Sequence, residues 1–239
     1  MSDPTQTLDD ITPDQVAAIM AGPPEDAAAW LRKLAEQGVA EAQVMYGQCL
    51  LDGMGVAADP FAALLWFLKA AQTGHAMAEN MAGRCYENGW GTQADLTMAA
   101  HWYGRSAAQE FDWGLYNLAT LLTLGRGVTE DRPRAFALYQ KAAEQGHAKS
   151  LNIVGGFYED GWEVEKNLAT ARGYYVRAAK GGDFRGQFNL GRFLAQEGLA
   201  QEALAQFRAA RQTAPQAFTD KMLAFLKERN LRLDEDAAQ

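Results

Sequence analysis

Three histidines, two cysteines and 30 acidic residues are the side chains of this 239-residue chain that could do chemistry. His75 and His147 close two similar stretches, "QTGHA" and "EQGHA", which suits a turn residue better than a metal ligand. His101 precedes Trp102 and has no cysteine or carboxylate at i+4, the spacing that would place a second ligand on one helical face. Cys49 and Cys85 lie 36 residues apart, form no C-x-x-C pair and are too few for a disulfide scaffold. They read as reduced, small apolar core residues. Glu87, Glu159 and Asp160 are carboxylates that a groove could pair for acid–base work, but solvated charges are the plainer reading. No G-x-S-x-G elbow, Walker loop or H-E-x-x-H motif occurs. The chain is therefore expected not to be an enzyme, and no cofactor or metal is expected.

Composition narrows the partners. With 22 basic against 30 acidic residues the net charge is −8, and there is no basic run to follow a phosphate backbone, so nucleic acid is not expected. The opening "MSDPTQTLDD" is polar and acidic, and no stretch approaches the ~20 apolar residues that span a bilayer. If the chain begins at its natural first residue, a cytoplasmic protein without membrane insertion is expected.

What positions these side chains is a period of 36. Residues 40–75, 76–111, 112–147 and 148–183 align without a gap. Gly53, Gly89, Gly125 and Gly161 share one column; Asp59, Asp95, Asp131 and Asn167 share another; Ala63, Ala99, Ala135 and Ala171 share a third. A half repeat (24–39) precedes them, and an atypical fifth (184–215), lacking the G-x-G turn, follows. Each repeat reads as two helices. The first, as at 40–52, ends at a glycine suited to a left-handed cap, and the aspartate column caps the second. Gly47, Gly83, Ala119, Gly155 and Gly191 would let helices approach closely. The columns Trp30, Trp66, Trp102, Tyr174 and Phe67, Tyr103, Tyr139, Tyr175 would then wedge between repeats. If each helix layer adds ~10 Å, His75 and His147 stand about 20 Å apart and cannot share a metal.

These columns, best seen in "GMGVAADPFAALLWFLKAAQTGHA" and "GRGVTEDRPRAFALYQKAAEQGHA", resemble the Sel-one-like repeat family, which is related to tetratricopeptide repeats. The resemblance covers about residues 24–213; the fourth repeat departs from it with "DGWEVEKN". It implies an all-α, right-handed superhelical solenoid of stacked helix–turn–helix repeats that serves as a protein-binding scaffold. Flanking it, residues 1–23 are expected to carry a short helix from Thr12 and Pro13, 216–231 to form a capping helix, and 232–239 to be a disordered tail.

In such an array the first helices line the concave groove, and their positions outside the core stripe would meet a partner protein or peptide. These positions include Met77, Asn80, Met81, Arg84, Trp113, Tyr116, Asn117, Thr120, Asn152, Phe188, Asn189 and Arg192, with Lys149 and Arg185 sharing the column of Met77 and Trp113. Asparagines can donate to and accept from a peptide backbone, arginines can hold a carboxylate, and Trp113 with Tyr116 offers rigid aromatic anchorage. A plainer reading stands beside this: Tyr116 packing on a neighbouring first helix and Trp113 covering the preceding turn. A second surface is the turn edge, where Trp90 and Trp162 could dock on a folded enzyme or receptor.

Overall fold

The computed structural model describes residues 17, 19, 21–231 and 233. The expected N-terminal cap at Thr12 and the acidic residues of the tail lie outside them. Among the described residues there are twelve α-helices and no strand. In chain order they are α1 (Pro24–Glu36), α2 (Ala40–Asp52), α3 (Pro60–Ala71), α4 (Ala76–Asn88), α5 (Leu96–Ala108) and α6 (Asp112–Leu124). Next come α7 (Arg132–Glu144), α8 (Ala148–Asp160), α9 (Leu168–Lys180), α10 (Phe184–Gln196), α11 (Ala200–Thr213) and α12 (Gln216–Glu228).

Local chemistry sets the helix ends. Asp59, Asp95, Asp131 and Asn167 each accept a hydrogen bond from a backbone N–H in the first turn of α3, α5, α7 and α9. Their own N–H groups donate back to Leu50, Tyr86, Leu122 and Tyr158, so one residue both starts a helix and closes the turn before it. The first helices stop at left-handed glycines, Gly53, Gly89 and Gly161 among them. The second turn glycine is also left-handed at Gly55, Gly91 and Gly127, and a Cβ on Gly91 would collide with the Pro60 carbonyl. In the fourth repeat Glu163 holds this position at φ 56°, a conformation that costs any residue with a Cβ about 1–2 kcal/mol. The histidines do more than turn the chain. The Nδ1 atoms of His75 and His147 accept the Ala78 and Ser150 N–H groups and so cap α4 and α8, as the Asp183 carboxylate caps α10.

The chain forms two compact units, one reaching to Gly114 and including Gly125–Thr129, the other built from Leu115–Leu124 and the described residues from Glu130 onward. In the first unit, α1 to α5 pack consecutively around Leu31, Leu50, Phe67, Met81 and Cys85. In the second, α7 to α11 pack likewise around Tyr175, Leu194 and Phe207, with Met222 and Leu226 of α12. The small-residue column explains the close packing. A Cβ on Gly47, Gly83, Gly155 or Gly191 would stand 2.6–2.7 Å from the ring of Phe67, Tyr103, Tyr175 or Phe207, respectively. Those four rings are essentially solvent-free. The aromatic column is thus a core wedge, but each ring meets the glycine of its own repeat's first helix, where a wedge between repeats was expected. The neighbouring column behaves differently: Trp66, Trp102 and Tyr174 are half-buried, each beneath a cation from Lys69, Arg105 or Arg177. Arg105 and Arg177 also donate to the carbonyls of Ala71 and Ala143, closing the C-terminal end of the preceding second helix.

Candidate functional site: the first-helix face

Candidate partner-contacting residues fall in both units. In the first, Met77 and Trp113 occupy the same repeat position on α4 and α6 and are 46% and 40% exposed, two of several large apolar side chains that face water. Met45 of α2 is similarly exposed. Their neighbours are not. Asn80 and Met81 are buried, at 5% and 6% exposure, so the backbone-bonding role expected of Asn80 is not on offer at this surface. Arg84 lies 5.1 Å over the Trp90 ring and donates to the Met81 sulfur. A side chain expected to hold a partner's carboxylate is thus laid along the protein's own surface.

The second unit turns several expected contacts inward. Tyr116 sits 5.9 Å from the Tyr139 ring and 4.9 Å from the His147 ring, the packing role that was its alternative reading. Thr120 donates to the Tyr116 carbonyl and shares a hydrogen bond with the Tyr139 hydroxyl. Phe188 is clustered with Phe207, Phe218 and Phe225. Asn152 is buried and accepts a 2.8 Å hydrogen bond from Asn189, joining α8 to α10. Arg192 donates to both oxygens of Glu159 and to Asn189, so its charge is already matched. Glu159 also accepts from the Tyr175 hydroxyl at 2.6 Å. Burial pushes the Glu159 carboxyl up, but the bonds from Arg192 and Tyr175 and the charges of Arg192 and Lys166 outweigh it and hold it below the usual carboxylate range. Asn117 is half-buried.

At the turn edge Trp162 is 56% exposed and meets Phe157 edge-on, while Trp90 is half-buried under Arg84. Reading the columns overlooked one charged group. Glu79 is 1% exposed, forms a 2.7 Å ion pair with Arg105 and accepts from Gln109. The signal was there: a lone glutamate in a column otherwise filled by Gln43, Leu115, Leu151 and Gln187. Among the described residues no group of three or more His, Cys, Asp or Glu side chains is arranged to hold a metal ion.

The Sel1 repeat model matches residues 24–39, 40–75, 76–111, 114–147 and 148–183. The chain belongs to the Sel1 repeat family. A Sel1 repeat protein from Oxalobacter formigenes is 25% identical and superposes with a TM-score of 0.81, over 94% of both chains. The protective antigen c5321 of uropathogenic Escherichia coli, which displays an SLR fold, is 25% identical with a TM-score of 0.69. That match covers 89% of this chain but 47% of the antigen, so the present chain spans about half of that protein. The immunity protein Pa5087 from Pseudomonas aeruginosa shares the fold at 21% identity, with a TM-score of 0.53 over 72% of this chain and 64% of the other. Comparison with curated protein sequences gives no significant match. The solenoid architecture of this Sel1 protein is that of a fold that generally mediates protein–protein interaction and typically lacks catalysis. No described helix is long and apolar enough to cross a membrane.

Proposed function

We propose that this Sel1 protein is a non-catalytic adaptor that captures a peptide or exposed segment of a partner protein along its first helices. The observation that carries the reading is the exposure of Trp113 on a first helix, with Met77 at the same repeat position. Tryptophan is among the residue types enriched at interface hot spots. Met77 adds an adaptable thioether surface beside that rigid anchor type. Burial of Asn80, Met81 and Asn152, the inward packing of Tyr116 and the internal bonding of Asn189 and Arg192 narrow the proposed contact set to Met77 and Trp113 of the first unit. A cytoplasmic setting is supported by two free, buried thiols, Cys49 and Cys85. Replacing both Met77 and Trp113 by Ala should weaken partner capture about 30-fold or more, because an interface aromatic typically contributes ~2 kcal/mol or more. Quantitative affinity capture from the source cell, with helical content checked by circular dichroism, measures this. Unchanged capture by a folded double variant overturns the location.

The second reading, docking through the turn edge, is favoured by the exposure of Trp162. Replacing Trp90 and Trp162 by Ser separates the two, since it removes the edge and leaves the first-helix face intact.

A further inference from the structure

We infer that the first-helix face of the first unit takes a basic segment of a partner protein, one in which a large apolar side chain stands beside Lys or Arg. This rests on the reading above and adds the chemistry of the partner. The apolar part of the face is continuous. Ser106, near the end of α5, donates from its hydroxyl to the Ala76 carbonyl at 2.8 Å, and Gly114 packs on the same serine with no room for a Cβ. The next residues along the chain from those contacts are Met77 and Trp113, so both exposed side chains start from backbone that abuts one serine. On the other side, His75 brings its Nε2 atom to 3.8 Å from Glu41. That contact sets the start of α4 against the first turn of α2, where Met45 follows Glu41 by four residues and shares its helical face. Met45, Met77 and Trp113 thus line up across the starts of α2, α4 and α6, each 40% exposed or more.

The charge around this strip is negative. Helix α2 contains Glu41 and Asp52 and no Lys or Arg, α4 contains Glu79, Glu87 and a single Arg84, and Asp112 immediately precedes Trp113. Glu79 is committed to Arg105 inside the protein, and Arg84 lies along the Trp90 ring and the Met81 sulfur. Asp52, Glu87 and Asp112 accept from Gln48, the Tyr103 hydroxyl and the Trp113 N–H, neutral donors that leave each carboxylate its charge. Glu41 is the acid that faces outward, with its side chain 74% exposed. The ring beside it brings no cation: a histidine that accepts the Ala78 N–H at Nδ1 is the neutral tautomer, with its proton on Nε2. A partner's Lys or Arg can therefore stand against Glu41 while the apolar side chain next to it lies on Met45 and Met77, whose flexible thioethers fit varied shapes. Acidic segments and nucleic acid are the poorer fit, since like charges within the Debye length of about 8 Å repel and so select against the wrong partner.

The test is to pan phage-displayed random 12-residue peptides against the intact chain and to measure the enriched ones by fluorescence anisotropy. Wild type is compared with Glu41→Lys, Glu41→Gln and Met77→Ala/Trp113→Ala, folding being checked by circular dichroism. Enriched peptides should carry Lys or Arg beside Leu, Phe, Met or Trp. Glu41→Lys should weaken them about 5-fold, the upper range for an exposed ion pair, with Glu41→Gln between. Met77→Ala/Trp113→Ala should weaken them about 30-fold or more. Enriched peptides that lose affinity for Met77→Ala/Trp113→Ala but bind Glu41→Lys as tightly as wild type overturn the basic partner and leave capture by the first helices standing. Absence of any enrichment on wild type, or peptides indifferent to all three variants, overturns both. A wild-type dimer in analytical ultracentrifugation that Met77→Ala/Trp113→Ala dissolves assigns the face to a second copy of this chain and also overturns the inference.

Discussion

In the second repeat Tyr103 donates to Glu87 at 2.7 Å, and in the fourth Tyr175 donates to Glu159 at 2.6 Å. Both tyrosines are buried, and each ring faces a glycine, Gly83 or Gly155, that leaves no room for a Cβ. The ionic contacts then diverge. The fourth repeat adds Arg192 to the same glutamate, linking α8 to α10. In the second repeat the ion pair is Glu79 with Arg105, joining the start of α4 to the last turn of α5, and its carboxylate is almost wholly buried. The comparison separates two layers of design. The ring-on-glycine wedge is a steric requirement of stacking helix pairs and recurs with the period. Charge placement is free to differ from repeat to repeat, because an ion pair needs only two partners and a local route to water.

Substitution can break each side of this comparison. The largest effect is expected at the wedge: Gly155→Ala forces a methyl against Tyr175 and should cost up to about 3 kcal/mol. The adjacent Gly156 would meet only the Tyr175 hydroxyl at 3.9 Å, so Gly156→Ala should be neutral or stabilise by ~0.5–1 kcal/mol through helix propensity. Urea denaturation of the intact chain distinguishes opposite signs from equal effects, and equal effects would mean that the wedge is loose.

At the buried pair, Arg105→Met strands the Glu79 carboxylate and should destabilise by about 2 kcal/mol. That is less than the 3–5 kcal/mol of a fully enclosed pair, because the Arg105 head group is 41% exposed and Gln109 still donates. Glu79→Leu, the residue that the third and fourth repeats place there, should cost under about 1 kcal/mol. A Glu79→Leu/Arg105→Met double variant that is no more stable than Arg105→Met alone contradicts this account.

The smallest effect concerns pH. Glu159 has a folded pKa below its unfolded value, so its bonds stabilise the fold above the unfolded pKa of ~4.3 and lose that contribution as pH falls through the folded value. Wild type should exceed Glu159→Gln by about 1 kcal/mol at pH 7, below the ~1.5–3 kcal/mol of hydrogen bonds to charged groups because the Glu159 side chain is partly exposed. The gap should narrow below pH 4 in urea titrations. A gap that is constant with pH would show that charge is not what Glu159 contributes.

Much of this molecule was legible in order of residues because its repeats are local. Helix starts at Asp59, Asp95, Asp131 and Asn167, left-handed stops at Gly53, Gly89 and Gly161, and the glycine–aromatic wedge each depend on neighbours within a single period. A column of identical residue types therefore reports a recurring backbone or steric demand. The contact face was less legible. Columns gave correctly that Trp113 and Met77 share a position, but not that Asn80 and Asn152 are buried or that Arg192 is answered by Glu159, 33 residues earlier. Burial and charge pairing are set by which side chains two adjacent first helices bring together, and a single helix's periodicity leaves a face of several columns undecided. The sequence alone thus determined the repeat, its helix ends and its core wedges, since those follow from sterics and hydrogen bonding along one stretch of chain. Only the tertiary structure decided which polar groups remain for a partner, because a hydrogen bond or ion pair made across helices removes them from the surface.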